Sequence, residues 1–179
     1  MKMRILFVIF AFVALFSGTV SSEDIANMRI QTYVHGQHLY GFQSEHCIAP
    51  DHEKYMQKVF DKLEKDTGVE ILVFAWDANG RDIKSIAEVQ YVVNYRVLGP
   101  VSGTKRVIFF FAFNTKFNGK MIPFTYYNFD QKRFSVSRTK VTKAIIRRRI
   151  MLSSVPTFDE YIMSVVDGWF DVFKETYGN

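Results

Sequence analysis

The hydrophobic and polar positions of the chain alternate between a helix-like and a strand-like spacing. After Asp51, which can cap a helix, apolar residues recur every three or four positions as far as Gly68 and predict an amphipathic helix. These apolar positions are Tyr55, Met56, Val59, Phe60 and Leu63. Two runs without polar alternation, residues 69–76 (VEILVFAW) and 106–114 (RVIFFFAFN), predict strands buried on both faces. The second run is the more apolar and predicts the centre of a sheet.

Weaker patterns predict the remaining elements. Pro123 cannot donate to a strand ladder and favours an edge position for its strand, which follows a tight turn at Asn118-Gly119. Thr157 and Glu160 have the capping-box spacing, which predicts the start of the last helix. The predicted buried face of that helix consists of Tyr161, Ile162, Val165, Trp169 and Phe173. The predicted helices cover residues 82–98, 139–152 and the chain from 157 onward, and the predicted strands cover residues 120–129 and 134–137.

Helices that alternate with buried strands indicate an α/β fold. Two buried strands, a hairpin and helices before and after them predict a three-layer α/β/α sandwich with a mixed central sheet. An irregular N-terminal segment over residues 23–50 is expected to precede one α/β domain over residues 51–179.

The first 22 residues have the composition of an export signal. Lys2 and Arg4 precede an apolar stretch over residues 5–16, and the segment ends in Val20-Ser21-Ser22, small-residue spacing that signal peptidase accepts. We therefore expect a signal peptide over residues 1–22 and an exported protein, periplasmic or secreted, that starts at Glu23. The alternative is a retained membrane anchor, for which an apolar core of about a dozen residues is short.

Export would alter the length and net charge of the protein and limit the functions available to it. Removing 22 of 179 residues leaves 157, and the loss of Lys2 and Arg4 lowers the net charge from +5 to +3. Cys47 is the only cysteine, so no internal disulfide can form, and its thiol is either free or paired between molecules. A protein outside the cytoplasm is not expected to use ATP, nicotinamide cofactors or chromosomal DNA.

Two stretches of the sequence resemble a known family, the TPM domains. They are residues 63–73 (LEKDTGVEILV), followed by a predicted helix, a glycine-containing loop and the strand at 107–113, and residues 156–161 (PTFDEY). The resemblance spans about residues 48–173. It implies an exported or membrane-associated α/β/α module. Some TPM domains are described as acid phosphatases or cation binders, and others as assembly factors for membrane complexes.

The chain departs from the TPM pattern at three places, where members usually carry an aspartate before the first helix, an Asp-Arg pair after the apolar strand and a Gly-x-Gly turn beyond it. The corresponding stretches are residues 38–47, which contain no aspartate, Thr115-Lys116, and residues 125–128 (TYYN). These departures favour a non-catalytic binding or assembly role over a phosphatase.

One cluster of oxygen ligands could still hold a cation. Asp77, Asn79 and Asp82 surround Gly80 where the first buried strand ends, the usual place for ligands in an open α/β sheet. Calcium or another divalent cation binds such carboxylate and carbonyl oxygens, and a bound cation could polarise a phosphomonoester. Convergence with Asp130 would support this alternative function, a divalent-cation-dependent acid phosphatase. The other interpretation is that Asn79-Gly80 forms a turn and Asp82 caps a helix.

All four histidines lie close together in the sequence. His35, His38, His46 and His52 surround Cys47, and these residue types suit zinc or copper. Their spacing matches no structural zinc pattern, so an aromatic, polar loop is the competing interpretation.

Charge asymmetry is the strongest surface signal. Residues 131–158 contain eight basic residues and no acidic one. They are Lys132, Arg133, Arg138, Lys140, Lys143, Arg147, Arg148 and Arg149. Lys140, Lys143 and Arg147 share one side of the predicted helix, and Arg148 follows them.

The basic helix predicts an anionic partner. We expect a membrane-associated or envelope protein, or an anionic surface, rather than nucleic acid. The competing interpretation is an ordinary solvated face, partly neutralised by acidic residues of the last helix. Those residues are Asp159, Glu160, Asp167, Asp171 and Glu175.

Overall fold

Nine elements make up the part of the chain that the structure describes. The computed structural model describes residues 35–42, 48–77, 87, 103–117, 120–121, 124–152 and 156–178. The strands are β1 (Leu39–Phe42), β2 (Glu70–Asp77), β3 (Arg106–Phe113), β4 (Lys116–Phe117), β5 (Lys120–Met121) and β6 (Phe124–Phe129). The helices are α1 (Pro50–Thr67), α2 (Arg138–Ile150) and α3 (Phe158–Tyr177).

Four of these strands form one mixed sheet. Its order is β1-β2-β3-β6, with β1, β2 and β3 parallel and β6 antiparallel to β3. Interior β3 lies between β2 and β6, whereas β6 is an edge strand, as the sequence predicted for both. The short strands β4 and β5 form a separate two-stranded sheet.

The interior strands are buried on both faces. Val73 and Phe109 lie on the first face, in register with each other, and Phe74 and Phe110 lie on the second. All four side chains are buried, which confirms the prediction from the uninterrupted apolar runs.

The three helices join the first face in one hydrophobic cluster. Met56 of α1, Ile145 of α2 and Trp169 of α3 belong to it together with Phe109 and Phe129 of the sheet. Trp169 packs edge-to-face against Phe129, with 5.7 Å between ring centroids. The predicted buried face of α3 is confirmed, since all five of its residues are buried.

Two of the three predicted helix ends are present in the structure, and the third is not. Gly68 ends α1 in the left-handed conformation at φ 66°, and the Thr157–Glu160 capping box starts α3, both as predicted. The predicted cap at Asp51 is wrong. The N-cap is Ala49, without a side-chain hydrogen bond, and Pro50 occupies the first helical position, where its fixed φ and missing N–H are tolerated.

Two further expectations differ from the structure. Residues 134–137 form no strand; the Phe134 N–H instead donates to the Asp130 carbonyl at 2.9 Å, which makes a turn. Strand β1 lies inside the segment expected to be irregular. The signal peptide, the turn at Asn118-Gly119 and Pro123 lie outside the described residues, as does the helix at 82–98 apart from residue 87.

Candidate functional site

Helix α2 carries most of the basic residues of the 131–158 stretch. Its N-terminal cap and its contact with α3 hold it in place. The Ser137 hydroxyl accepts a hydrogen bond from the Lys140 N–H at 3.4 Å and caps the helix. Val141 and Ile145 are buried on one side. The predicted helix at 139–152 is therefore present, at slightly different bounds, with its apolar stripe inward.

Arg148 is bound within the molecule. Its Nε and Nη2 atoms donate to the two carboxylate oxygens of Asp171, each at 2.7 Å, and its Nη1 atom lies 3.4 Å from Asp167. Such a bidentate pair fixes the guanidinium geometrically. Of the four residues predicted to bind an anionic partner, Arg148 is thus the one most committed to the contact between α2 and α3.

The electrostatics of this contact follow from its geometry. The hydrogen bond to Asp171 raises the pKa of Arg148 above its ordinary value. Burial raises the pKa of Asp167, and the positive charge of Arg148 opposes only part of that effect. Asp171 is therefore the main anionic partner of Arg148.

Lys140 is paired more loosely. Its Nζ atom lies 2.7 Å from a carboxylate oxygen of Glu175, and both side chains are exposed. An exposed pair of this kind contributes about 0–1 kcal/mol and opens readily. Lys140 can exchange its partner at little cost.

Lys143 and Arg147 are the two predicted residues whose charge no carboxylate of the described residues neutralises. Both are exposed, they are four positions apart on α2, and neither forms a salt bridge with any described residue. The acidic residues of α3 thus neutralise part of the basic helix but not this part.

Two other basic side chains of α2 stack on aromatic rings. The Arg138 guanidinium lies 4.8 Å from the centroid of Phe129, and the Arg149 guanidinium lies 4.6 Å from the centroid of Tyr161. These cation–π contacts hold both arginines against the fold. Lys132 and Arg133 are exposed in the turn that follows β6.

The predicted cation site is only partly described. Asp77 ends β2, opposite Phe113 of β3, while its side chain, Asn79 and Asp82 lie outside the described residues. Asp130 follows Phe129, whose partner in β3 is Val107, at the other end of that strand. Phe113 lies six positions after Val107 along the strand, or about 20 Å away. Asp130 therefore does not converge with Asp77.

Asp130 holds two loops together instead. Its carboxylate accepts the backbone N–H of Gly103 at 2.6 Å and that of Lys132 at 2.8 Å. These two hydrogen bonds lower the pKa of Asp130. The residue thus fixes the approach to β3 and the turn toward α2.

The histidine cluster does not act as one group in the described residues. His46 and Cys47 lie outside them, and His52 on α1 pairs with Asp159 of α3 at 3.1 Å. His38 is buried before β1. Among the described residues, no group of three or more histidine, cysteine, aspartate or glutamate side chains could hold a metal ion.

His38 forms a polar contact that sequence reasoning missed. Its Nδ1 atom lies 2.7 Å from the Ile71 carbonyl, and its Nε2 atom lies 3.2 Å from Asp61 and 3.5 Å from Glu64. A carbonyl oxygen only accepts, so the Nδ1 atom donates in the contact with Ile71. The signal was the polar stripe of Gln57, Asp61 and Glu64, spaced by four and three residues beside the apolar stripe of α1.

Comparisons with known proteins add nothing to this geometry. No protein-family model matches the chain, and neither curated proteins nor solved structures match it. In the part of the chain that the structure describes, no helix has both the length and the apolar composition that crossing a bilayer requires.

Proposed function

We propose that the chain is an exported, non-catalytic binding or assembly domain that acts at the cell envelope or in a membrane-associated complex. It contacts an anionic partner through the outer face of α2, defined as Thr139, Lys143, Ile146, Arg147 and Ile150. The observation that carries the proposal is that Lys143 and Arg147 are exposed there and pair with no carboxylate of the described residues.

Helix stability alone does not account for this charge pattern. Arg147, Arg148 and Arg149 lie in the last turn of α2, where positive charge interacts favourably with the helix dipole by about 0.3–1 kcal/mol each. Lys143 lies in the middle of the helix, where that effect has decayed. Two like charges four positions apart also repel each other slightly. Contact with an anion would make both charges favourable.

A TPM-like, three-layer α/β/α arrangement is part of the proposal. It is supported by the burial of both sheet faces, because Leu72, Phe74, Ile108 and Phe110 on the second face are as buried as the first. A sheet covered on both sides is typical of α/β folds with helices in two layers.

The test measures binding to a defined polyanion. Immobilised heparin should retain the purified chain, and the double variant Lys143→Glu/Arg147→Glu should elute at lower salt concentration because each charge contact releases counterions. The matched control is Lys54→Glu/Lys58→Glu, which makes the same charge change at two exposed positions four residues apart on α1. Equal elution of the two double variants would contradict the proposal.

A second candidate function, a divalent-cation-dependent acid phosphatase, rests on the position of Asp77. This residue ends the parallel strand β2, and ligands in open α/β sheets bind at the carboxyl ends of the strands. The test is turnover of a chromogenic phosphomonoester with and without calcium or magnesium. Activity that persists in Asp77→Ala/Asp82→Ala would remove these residues from the mechanism.

A further inference from the structure

The outer face of α2 carries apolar as well as basic side chains. Ile150 is 68 % exposed, and Met151, the residue that follows the helix, is 81 % exposed. Ile146 is half-buried one turn before Ile150. The large apolar side chains exposed in the described residues are Tyr55, Ile150, Met151 and Tyr177. Two of these four are therefore neighbours at one end of the basic helix.

Local structure does not explain why Ile150 is exposed. A β-branched residue is a weaker helix former than the alanine or lysine that an exposed position could hold, and solvent offers it no packing. An exposed helical position therefore neither buries the isoleucine side chain nor suits its helix propensity. An apolar residue at this position is favourable only if something covers it.

The charges beside this apolar end are those that pair with no carboxylate in the part of the chain that the structure describes. Lys143, Arg147 and Ile150 lie within about 10 Å along one side of the helix. Because lysine and arginine have long aliphatic stems, their charged groups can reach outward while the stems lie along an apolar surface. The outer face is thus basic and apolar at once.

Two backbone amides and two backbone carbonyls at this end are already paired. The Met151 N–H donates to the Arg148 carbonyl at 3.1 Å, and the Leu152 N–H donates to the Arg149 carbonyl at 3.2 Å. An apolar medium would therefore not leave these two amides unpaired. The end of α2 can enter hydrocarbon at a lower cost than a frayed helix end.

We propose that the outer face of α2, together with Met151, binds anionic lipid at a bilayer surface, with Lys143 and Arg147 on the phosphates and Ile150 and Met151 among the acyl chains. This inference rests on the proposed function and specifies its partner. A helix with cations on one part of its surface and aliphatic side chains on the adjacent part suits the boundary between headgroups and acyl chains. The phosphates of a fluid layer can move to meet two flexible cations, so no preformed pocket is required.

Sedimentation with vesicles separates the apolar from the ionic part of this contact. The purified chain should bind vesicles of phosphatidylcholine mixed with phosphatidylglycerol, and bind vesicles of phosphatidylcholine alone much more weakly. Ile150→Ser/Met151→Ser should weaken binding to the anionic vesicles about tenfold or more, because two aliphatic side chains no longer leave water. Its retention on heparin should not change, since heparin contains no hydrocarbon.

Two controls keep the comparison specific. Tyr55→Ser removes another exposed apolar side chain, 63 % exposed on α1, and should leave vesicle binding at the wild-type level. All variants carry the same N-terminal segment, so any affinity of that segment for lipid cancels between them. Lys143→Glu/Arg147→Glu should weaken vesicle binding by about fivefold for each positive charge removed.

A depth measurement completes the test. In Met151→Trp, the new indole should shift its emission to shorter wavelength on anionic vesicles and be quenched by lipids brominated on the acyl chain. The wild type carries tryptophan at positions 76 and 169, so its emission is the baseline from which the signal of the new indole is read. Trp169 is fully buried in the core and should respond neither to the vesicles nor to the brominated lipids. Emission from the new indole that stays unshifted and unquenched would place it in water and overturn the inference.

The outcomes distinguish this inference from the function on which it rests. Unchanged vesicle binding by Ile150→Ser/Met151→Ser would overturn insertion and leave the heparin result standing. Binding to polyglutamate without binding to anionic vesicles would assign an acidic protein as the partner and also overturn it. Only failure of the heparin contrast between the α2 and α1 double variants would remove the basic face itself.

Discussion

Gly168 of α3 lies directly against the backbone of Ile145 in α2. A Cβ atom on Gly168 would be 2.8 Å from the Ile145 nitrogen and 2.9 Å from its Cα atom, closer than non-bonded atoms approach. The missing side chain therefore lets the two helices pack closely at this point. Since Ile145 and Val141 are the buried residues of α2, this approach sets the position of the basic helix on the fold.

Gly168→Ala should consequently destabilise the protein. Alanine favours a helix over glycine by about 1 kcal/mol, but the new methyl group meets backbone atoms that can move only with the whole helix. Overpacking of this kind typically costs about 1–3 kcal/mol, so a net loss is expected. Urea unfolding measures the free energy, and Gly41→Ala, where an added Cβ meets nothing within 4 Å, is the control. Equal effects of the two substitutions would show that α2 is not held this closely.

Asp167 should make stability depend on pH. Burial raises its pKa above the ordinary value of 3.8, so the folded state holds its proton more tightly than the unfolded state does. The stabilisation from that proton is complete below the unfolded pKa and is lost as pH rises through the folded pKa. Asp167→Asn cannot lose a proton, so it should gain stability relative to the wild type as pH rises from about 3.8 toward neutrality.

Urea unfolding of the wild type and Asp167→Asn across this range gives the measurement. Asp171→Asn is the comparison, because Asp171 forms the bidentate contact with Arg148 and its loss should destabilise the protein at neutral pH. A stability difference between wild type and Asp167→Asn that is constant with pH would contradict the raised pKa.

The spacing of apolar residues correctly predicted those elements that the local sequence specifies without knowledge of their packing partners. The apolar runs of β2 and β3 required burial on both faces, and the capping box at Thr157 is a local signal of four residues. The false strand at residues 134–137 shows the limit. Phe134 and Val136 alternate with exposed residues as in a strand, but both belong to the hydrophobic cluster that the helices share, and no strand among the described residues pairs with them.

The sequence predicted which residues of the site are basic, but not which of them form salt bridges. The sequence identified Lys140, Lys143, Arg147 and Arg148 as a group, and only the helix contact shows that Asp171 binds Arg148 and leaves Lys143 unpaired among the described residues. Selection between carboxylates on α3 depends on the angle and distance between helices, which periodicity does not fix. The exposure of Ile150 and Met151 could not be predicted for the same reason, because it depends on how the helices pack.

The titration of the Asp130 carboxylate can be followed at the two backbone amides that donate to it. Hydrogen bonds from Gly103 and Lys132 lower its pKa, so they should persist above the ordinary value of 3.8 and weaken only as pH falls through the lower folded value. In NMR spectra, the amide protons of Gly103 and Lys132 should shift together with a midpoint below 3.8. Asp130→Ala should abolish both shifts.

The Gly68 amide is the control for this titration. It donates to the Glu64 backbone carbonyl at 2.7 Å, in a helix end that involves no carboxylate as acceptor. Its amide shift should show no transition of the kind seen at Gly103. A midpoint for Gly103 above 3.8 would contradict the lowered pKa of Asp130.

His38 and His52 form a matched pair for measuring what burial adds to a histidine–carboxylate contact. The His38 side chain is 2 % exposed beside Asp61, whereas that of His52 is 52 % exposed beside Asp159. His38→Leu keeps an apolar side chain in the core but leaves the Ile71 carbonyl without this donor, which should cost about 1–3 kcal/mol. His52→Leu removes only an exposed side-chain contact with Asp159 and should cost less than about 1 kcal/mol. Urea unfolding of both variants gives the comparison, and a larger loss for His52→Leu would show that His38 does not join β1, α1 and β2 as its contacts indicate.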